Sequence, residues 1–226
     1  MSKTVKVLVT GGNGMVGSCI KEISKSDQDI EYIYHNGRCD ADLTDYNSVE
    51  NLFQRTKPDQ VIHLAAAVGG LFLNQKQNAK MLTDNLSMNL NVIQACHRHN
   101  VQRGIFILSS CIFPANPSKF PMTEDMVDES KPHPSNEGYA YGKRMLYTLT
   151  KHYNSDYNRN YICLSPVNLY GPYDNYNPES SHVIPGLINR FHTGDFTCYG
   201  TGQPLRQFLY APDFAKIIIR VLHDIN

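Results

Sequence analysis

Short apolar runs and amphipathic segments alternate along most of this chain of 226 residues. The apolar runs are rich in β-branched residues and predict strands at residues 5–10, 30–34, 61–67, 104–109 and 161–166. The segments between them have helical periodicity. They predict a first helix that ends near residue 24 and three further helices at residues 45–55, 83–99 and 139–153. This order predicts an α/β fold with a doubly wound parallel sheet and helices on both of its faces.

The character of the chain changes at Gly171, where loop-like residues 171–181 precede a predicted helix at residues 183–192. A glycine-rich stretch at residues 197–208 and an apolar helix at residues 212–223 follow. We therefore expect a main part at residues 1–170 and a smaller part at residues 171–226, with a helix that returns to the main part. The smaller part is expected to cover the carboxyl ends of the strands, where open α/β sheets bind ligands.

The composition argues against several classes of protein. The chain is 41% hydrophobic and 19% charged, and its 21 basic residues balance its 21 acidic ones. We therefore expect no nucleic-acid partner and no attraction to membranes, and no apolar run resembles a signal peptide or a membrane span. The six cysteines lack Cys-x-x-Cys spacing, which favours a reduced, cytoplasmic setting. Cys96, His97 and His99 are spread around a predicted helix, so we expect no metal site.

A glycine loop follows the first predicted strand directly and opens the first helix. Its residues are Gly11, Gly12, Asn13, Gly14, Met15, Val16 and Gly17. Glycines in this setting let the backbone approach a pyrophosphate at the start of a helix. The loop therefore predicts that residues 1–170 form a Rossmann-type dinucleotide-binding domain.

The end of the second predicted strand indicates which dinucleotide is bound. An NAD site has an acidic residue there for the ribose hydroxyls, whereas residues 35–38 contain Arg38 and no acid. Arg38 is predicted to contact a 2′-phosphate, which favours NADP(H); the alternative is an exposed loop arginine. Asp42 and Leu43 are expected near the adenine.

Tyr139 and Lys143 lie one helical turn apart. A lysine ammonium at i+4 favours the phenolate and lowers the tyrosine pKa from its ordinary value of about 10. Together with a dinucleotide site, the pair predicts an enzyme that transfers a hydride and a proton to or from a carbonyl group. Ser109, at the end of a predicted strand, is expected to hydrogen-bond a substrate oxygen.

Two further residues each allow two interpretations. Cys111 is either a small buried hydrophobic residue or a general base. His182, at a predicted junction of loop and helix, is either structural or an acid–base group.

Seven segments together resemble the GDP-L-fucose synthase family, a group of extended short-chain dehydrogenases/reductases. They are the glycine loop and residues 40–45, 63–70, 109–114, 139–143, 168–172 and 181–185. Tyr139 and Lys143 are common to the superfamily, whereas Cys111 and His182 in these settings are more specific to this family. The resemblance covers the whole chain and implies that the substrate-binding part continues beyond Asn226.

The resemblance implies an NADPH-dependent activity that converts GDP-4-keto-6-deoxy-D-mannose to GDP-L-fucose. The family epimerises C3 and C5 of the sugar and then reduces C4. By resemblance, Ser109, Tyr139 and Lys143 serve the reduction, and Cys111 with His182 serves the epimerisation.

The resemblance also assigns residues to the two ligands. Arg190 and Arg206 are expected at the diphosphate of the GDP-sugar, and Tyr199 takes a place where the family often has tryptophan. The residues expected at NADP(H), besides the glycine loop, are Arg38, Asp42, Leu43, Leu64, Ala65, Ala66, Tyr139, Lys143, Pro166, Asn168, Leu169 and His182. Because related enzymes pair two long helices across a twofold axis, we expect a homodimer through residues 83–99 and 141–153.

Two rival interpretations remain. A 4,6-dehydratase of the superfamily has an Asp-Glu pair where this chain has Cys111 and Ile112, and a simple 4-epimerase needs no base like Cys111. A non-catalytic dinucleotide-binding protein would typically lack the tyrosine or the lysine that this chain keeps.

Overall fold

The computed structural model describes residues 4–70 and 76–224; the remaining residues of the two predicted parts lie outside the described residues. Five strands of the described chain form one sheet in the order β2-β1-β3-β4-β5, and every pair in it is parallel. The strands are β1 (Val5–Thr10), β2 (Ile30–Tyr34), β3 (Gln60–His63), β4 (Arg103–Ile107) and β5 (Asn160–Leu164). The predicted parallel sheet of the Rossmann type is therefore confirmed.

Helices cover both faces of this sheet. The α-helices of the described residues are α1 (Met15–Ile23), α2 (Tyr46–Thr56), α3 (Asn78–Arg98), α4 (Glu137–Tyr157), α5 (Val183–His192) and α6 (Ala211–Asp224), and all but α5 contribute to the two cores. Alternate strand residues point to opposite faces, so Leu8 packs in one core with α2, α3 and α4. Val7 and Val9 pack in the other core with α1 and α6. The fold is doubly wound, and its last helix lies on the first.

A second, two-stranded sheet lies outside the sequence prediction. β6 (Asn168–Tyr170) and β7 (Phe208–Tyr210) pair in parallel, with Tyr170 opposite Tyr210. Each strand has three residues, which is too short for an alternating pattern to be recognised.

Several predicted element boundaries differ from the structure by a few residues, such as the end of α4, which lies at Tyr157 rather than at residue 153. Two of the differences are explained by contacts. β3 ends at His63 rather than at residue 67, because Asn85 draws the chain away: its side chain accepts from the Ala67 N–H at 3.0 Å and donates to the Ala67 carbonyl at 2.9 Å. The long helix α3 begins at Asn78 rather than at residue 83. Its first turn packs closely on α4, where a Cβ added to Gly138 would lie 2.2 Å from the Asn78 carbonyl oxygen.

A buried hydrogen-bond chain joins β1, β3, α3 and α4. Thr10 and His63 face each other in the β1–β3 register, and Thr10 Oγ1 lies 2.7 Å from His63 Nδ1. His63 Nε2 lies 3.0 Å from Asn89 Oδ1, and Asn89 Nδ2 donates to the Gly142 carbonyl at 3.0 Å. The three side chains are fully buried.

The Gly142 carbonyl, at the end of this series of hydrogen bonds, determines which atom donates in each of them. Because the Gly142 carbonyl only accepts, Asn89 donates through its nitrogen and accepts through its oxygen. His63 must then carry its proton on Nε2 and accept at Nδ1 from the Thr10 hydroxyl. Neutral His63 satisfies the whole chain, whereas a second ring proton would face the Thr10 oxygen and displace the hydroxyl proton.

His63 should make the protein sensitive to acid. Burial, reinforced by the Lys143 charge, lowers the His63 pKa from 6.5 to about 3. The unfolded chain then binds one more proton than the native protein at intermediate pH, so stability falls as the pH drops below about 6.5. From pH 7 to pH 5 this group alone should remove about 2 kcal/mol of unfolding free energy. Urea unfolding at the two pH values measures the loss.

His63→Gln offers a matched test, because glutamine can accept from Thr10 and donate to Asn89 without titrating. The variant should lose less stability on acidification than the wild type. An equal loss in both proteins would show that His63 is not the group responsible. His152→Gln, at an exposed site on α4, serves as the control and should behave as wild type.

Candidate active site

The glycine loop turns tightly between β1 and α1. Gly11 has φ of 73°, and a Cβ there would lie 2.8 Å from the Ala65 nitrogen. A Cβ on Gly12 would meet Tyr34, and one on Gly17 would lie 2.6 Å from the Gly11 carbonyl oxygen. Three glycines therefore allow β1, its neighbouring strands and α1 to approach one another closely.

Gly14 has a different setting from the other three glycines. A Cβ on Gly14 would meet only the Gly11 carbonyl oxygen, at 3.3 Å, so its outer side is open. Gly14 is the N-cap residue directly before α1, and no side chain of the described residues caps this helix end. Free N–H groups at a helix start, behind an open glycine, fit the pyrophosphate of a dinucleotide. Met15 and Val16 form the first turn of the same helix and are partly buried.

The residues predicted for the adenosine end lie after β2. Arg38 is exposed, with Nε 3.8 Å from Asp42 and an Nη nitrogen 3.7 Å from Asp84. Asp42 accepts from the Thr44 hydroxyl and N–H, and these hydrogen bonds lower its pKa. Leu43 is buried.

Two chain segments border the site further along the sheet. Leu64, Ala65 and Ala66 follow β3, and the Leu64 N–H donates to the Thr10 carbonyl at 3.2 Å. Pro166 accepts from the Ser110 N–H at 3.0 Å, which ties the chain after β5 to the chain after β4. Asn168 and Leu169 belong to β6, where Asn168 donates to the Gln207 carbonyl. These predicted cofactor residues all lie at or beyond the carboxyl ends of the strands.

Ser109, Cys111 and Tyr139 come together beyond the end of β4. The Ser109 hydroxyl oxygen accepts from the Cys111 N–H at 3.3 Å. The Cys111 sulfur accepts from Asn136 Nδ2 at 2.9 Å. Burial raises the pKa of Tyr139, nearby Cys111 raises it further, and a hydrogen bond with Ser109 opposes the rise. The phenol, the hydroxyl and the thiol therefore share one environment.

Lys143 shares helix α4 with Tyr139 but does not act on it as predicted. Its Nζ is buried, donates to the Ile107 carbonyl at 2.6 Å, and lies 5.9 Å from the centre of the Tyr139 ring. Burial lowers the Lys143 pKa to about 8. The Tyr139 pKa is therefore raised rather than lowered as expected, because burial and nearby Cys111 outweigh the lowering by the hydrogen bond with Ser109.

His182 lies directly before α5, and its carbonyl accepts from the Gly186 N–H at 2.9 Å. Its ring is exposed, and no hydrogen bond in the described part of the chain joins it to Cys111. The preceding residues are held against the loop after β3, since the Gly70 N–H donates to the Ser180 carbonyl at 3.0 Å. This contact brings the start of α5 to the side of the sheet where the strands end.

The three residues predicted for the GDP-sugar are only partly brought together. The Arg190 guanidinium lies 4.4 Å from the centre of the Tyr199 ring, and one of its buried nitrogens has no hydrogen-bond partner among the described residues. Arg206 is exposed and donates to the carbonyl of its neighbour Leu205. Tyr199 is also exposed.

Sequence reasoning missed the polar residues that support this site. Asn85 and Asn89 were not recognised, although asparagines four residues apart on an amphipathic helix can point at one partner element. His63 was passed over, although a histidine at the end of an apolar strand is buried by position. Asn136 carries no signal of its own, since an asparagine before a helix is an ordinary capping residue.

Comparisons with known proteins agree with this geometry. The profile of the NAD dependent epimerase/dehydratase family matches residues 7–226, and the chain belongs to that family. It is 45% identical to a probable GDP-L-fucose synthase of Drosophila melanogaster, over 97% of this chain and 72% of that protein. It is 42% identical to a GDP-L-fucose synthase of Dictyostelium discoideum, over 96% of this chain and 70% of that protein.

A crystal structure of a GDP-L-fucose synthetase from Naegleria fowleri, bound to NADP, has the same fold. Its TM-score is 0.88 at 38% identity, and the match covers 98% of this chain and 74% of that one. The predicted resemblance to the GDP-L-fucose synthase family is confirmed. No helix in the described ranges 4–70 and 76–224 is long and apolar enough to cross a membrane.

The buried Lys143 should leave a signature in the pH dependence of the protein's stability. Its pKa is about 8 in the native state and about 10.5 when exposed, so burying the ammonium costs stability at neutral pH. That cost, up to about 3 kcal/mol, disappears as the pH rises from about 8 to about 10.5. Lys143→Met removes the titrating ammonium, so the gain in unfolding free energy relative to wild type should be largest at neutral pH. Urea unfolding across this range measures the difference.

The informative quantity is the pH dependence of the difference between variant and wild type, because the lost bond to Ile107 adds only a constant. A difference that does not change between neutral and alkaline pH would contradict the assignment. Lys151→Met, at an exposed position of the same helix, is the control and should show no such trend.

Proposed function

We propose that the protein catalyses the NADPH-dependent 3,5-epimerisation and 4-reduction of GDP-4-keto-6-deoxy-D-mannose to GDP-L-fucose. The observation that carries the proposal is the shared environment of Cys111 and Tyr139, because a thiol beside the phenol would give the site a second group able to transfer protons. Relatives that carry the name GDP-L-fucose synthase support the same activity.

The cofactor proposed for this site is NADPH, which supplies the hydride that reaches C4 of the sugar. The glycine loop and the uncapped start of α1 would hold its pyrophosphate, and the residues after β2 its adenosine end. The crystal structure of the Naegleria relative with NADP supports this choice.

For the reduction, Tyr139 gives its phenolic proton to the C4 oxygen as the hydride arrives. A raised pKa suits this direction of reaction, because the phenol remains protonated at neutral pH. Ser109 holds the same oxygen by a hydrogen bond. We assign Lys143 to the same reductive group by the family's pattern, with its ammonium anchored on the Ile107 carbonyl as a fixed positive charge in the site.

For the epimerisation, the C4 ketone acidifies the hydrogens on C3 and C5. We assign Cys111 and His182 to the two faces of the sugar, one removing a proton and the other returning one, so that each centre is inverted through an enediolate. Asn136 fixes the position of the sulfur by its hydrogen bond. Arg190 and Arg206 would meet the diphosphate, with Tyr199 beside Arg190.

Cys111→Ser should separate the two halves of the reaction. A serine hydroxyl stays protonated at neutral pH and cannot supply a base like a thiolate, so epimerisation should slow about 10²-fold or more. Reduction of the unepimerised ketone should continue and give a GDP-6-deoxyhexose that is not fucose. Tyr139→Phe should do the reverse, with solvent deuterium entering C3 and C5 while little NADPH is consumed.

Proton NMR in deuterium oxide, read beside NADPH absorbance, measures both halves in one sample. Deuterium exchange at the wild-type rate in Cys111→Ser would exclude the thiol as the base. Cys198→Ser replaces an exposed thiol and should leave both signals unchanged.

We further propose that the protein forms a homodimer through α3 and α4 and works in the cytoplasm. Leu90 on α3 and Tyr141 and Met145 on α4 are exposed by 41%, 36% and 46%, and Tyr141 and Met145 lie one turn apart. Two copies of such a helix pair can bury these side chains in a four-helix bundle. The free thiols of all six cysteines support a reducing compartment.

The double change Leu90→Lys with Met145→Lys should convert the dimer to a monomer, because charged groups do not pack at the centre of such an interface. Light scattering should give twice the chain mass for wild type and the single mass for the variant. Ile217→Lys is the matched control, since Ile217 is equally exposed, by 44%, on α6. A wild-type protein that scatters as a monomer would refute the proposed dimer.

A further inference from the structure

Lys21 lies on α1 with its ammonium beside the end of β2. Nζ donates to Asn13 Oδ1 at 2.8 Å and to Asn36 Oδ1 at 3.1 Å, and it lies 5.0 Å from the centre of the Tyr34 ring. Asn13 belongs to the glycine loop, and Asn36 follows β2. The lysine is therefore anchored where the glycine loop and the second strand meet.

In a Rossmann-type domain this meeting point holds the ribose of the adenosine. Dinucleotide enzymes that bind NAD place an acid at the end of the second strand, within reach of the 2′-hydroxyl. Here Asn36 and Arg38 occupy that region, and the Lys21 ammonium is hydrogen bonded to the first of them. A phosphate on the 2′-oxygen of this ribose would therefore lie close to the Lys21 ammonium.

The two cations of this region differ in their partners. Arg38 lies within 3.8 Å of Asp42 and 3.7 Å of Asp84, so carboxylates already offset its charge. The Lys21 bonds go to neutral amide oxygens, and no carboxylate of the described residues pairs with it. A phosphate that approaches Lys21 therefore replaces weak neutral partners and does not compete with an existing ion pair.

We propose that Lys21 is a specificity-determining residue for NADPH that binds the 2′-phosphate, acts beside Arg38 and contributes at least as much as Arg38 does. This inference rests on the proposed function. On binding, the ammonium exchanges an amide oxygen for a phosphate oxygen and forms a charge-assisted hydrogen bond. The Lys21 ammonium already lies over the ring of Tyr34 at the end of β2, so it needs little rearrangement to make this contact.

The test is the affinity of the protein for NADPH and NADH, measured by titrating the nucleotide fluorescence of each with wild type and variants. Lys21→Gln keeps a polar side chain and removes the charge, so Kd for NADPH should rise about 10- to 100-fold, the usual effect of losing a charged hydrogen bond. Kd for NADH, which lacks the phosphate, should stay unchanged. Arg38→Gln should raise Kd for NADPH by no more than Lys21→Gln does.

Two further variants separate binding from structure. Lys21→Arg restores the charge and should recover most of the NADPH affinity. Lys25→Gln removes a neighbouring lysine that already pairs with Glu22 at 2.8 Å, and it should change neither affinity. Added salt should weaken NADPH binding more in wild type than in Lys21→Gln, because screening acts on the phosphate contact.

Equal changes in Kd for both nucleotides, or no change for NADPH, in Lys21→Gln would overturn the inference. A larger loss in Arg38→Gln than in Lys21→Gln would also overturn it. Incubating wild type with GDP-4-keto-6-deoxymannose and NADPH tests the proposed function separately. If wild type forms GDP-L-fucose but Lys21→Gln binds NADPH as tightly as wild type, only the role of Lys21 is rejected. If wild type binds neither nucleotide, both the role of Lys21 and the proposed function are rejected.

Discussion

Every buried polar atom needs a hydrogen-bond partner, and in this protein that requirement sets the distance between β1, which precedes the glycine loop, and α4, which carries Tyr139 and Lys143. Thr10 ends the strand that precedes the glycine loop, and Gly142 directly precedes Lys143 in α4. His63 and Asn89 span the space between them. A shift in the register of β1 against β3, or a rotation of α3, would leave at least one buried donor or acceptor unpaired. The glycine loop, proposed to bind a pyrophosphate, and the helix that carries Tyr139, the proposed proton donor, are thus positioned by the same bonds.

The same series of hydrogen bonds explains why the site tolerates the buried Lys143 ammonium. His63 is fully buried and neutral, so it adds no second positive charge near Lys143. The Lys143 ammonium is held by the Ile107 carbonyl, and the carboxylates of the described residues form no ion pair with it. A charge that is held only by neutral oxygens remains able to stabilise a negative charge that appears in the reaction. Lys21 is held in the same manner at the opposite end of the proposed cofactor site.

Much of this architecture is readable from residue patterns, and the failures have physical causes. β1, β2 and α5 begin and end where periodicity predicts, because each buries one continuous face. β6 and β7 are not predictable, since their partner lies about forty residues away and each makes only three register pairs. Tyr139 and Lys143 were recognised by spacing, but the direction of the tyrosine pKa depends on burial, which spacing does not report. Asn85 and Asn89 look like residues of a solvated helix face until the packing of α3 on α4 is known.

The pairing of β6 with β7 has a consequence for how the substrate-facing part can diversify. β6 and β7 lie side by side, with Asn168 opposite Phe208 and Tyr170 opposite Tyr210. Residues 171–207 therefore form a long connection whose two ends are held together by this pairing. The entropy of closing such a connection grows only slowly with its length, by roughly 0.6 kcal/mol for each doubling. Insertions and exchanged loops within this connection therefore leave α6 packed on α1 and the nucleotide half undisturbed. The fold thus lets the part proposed to bind the sugar nucleotide change in length while the part proposed to bind NADP(H) keeps its packing.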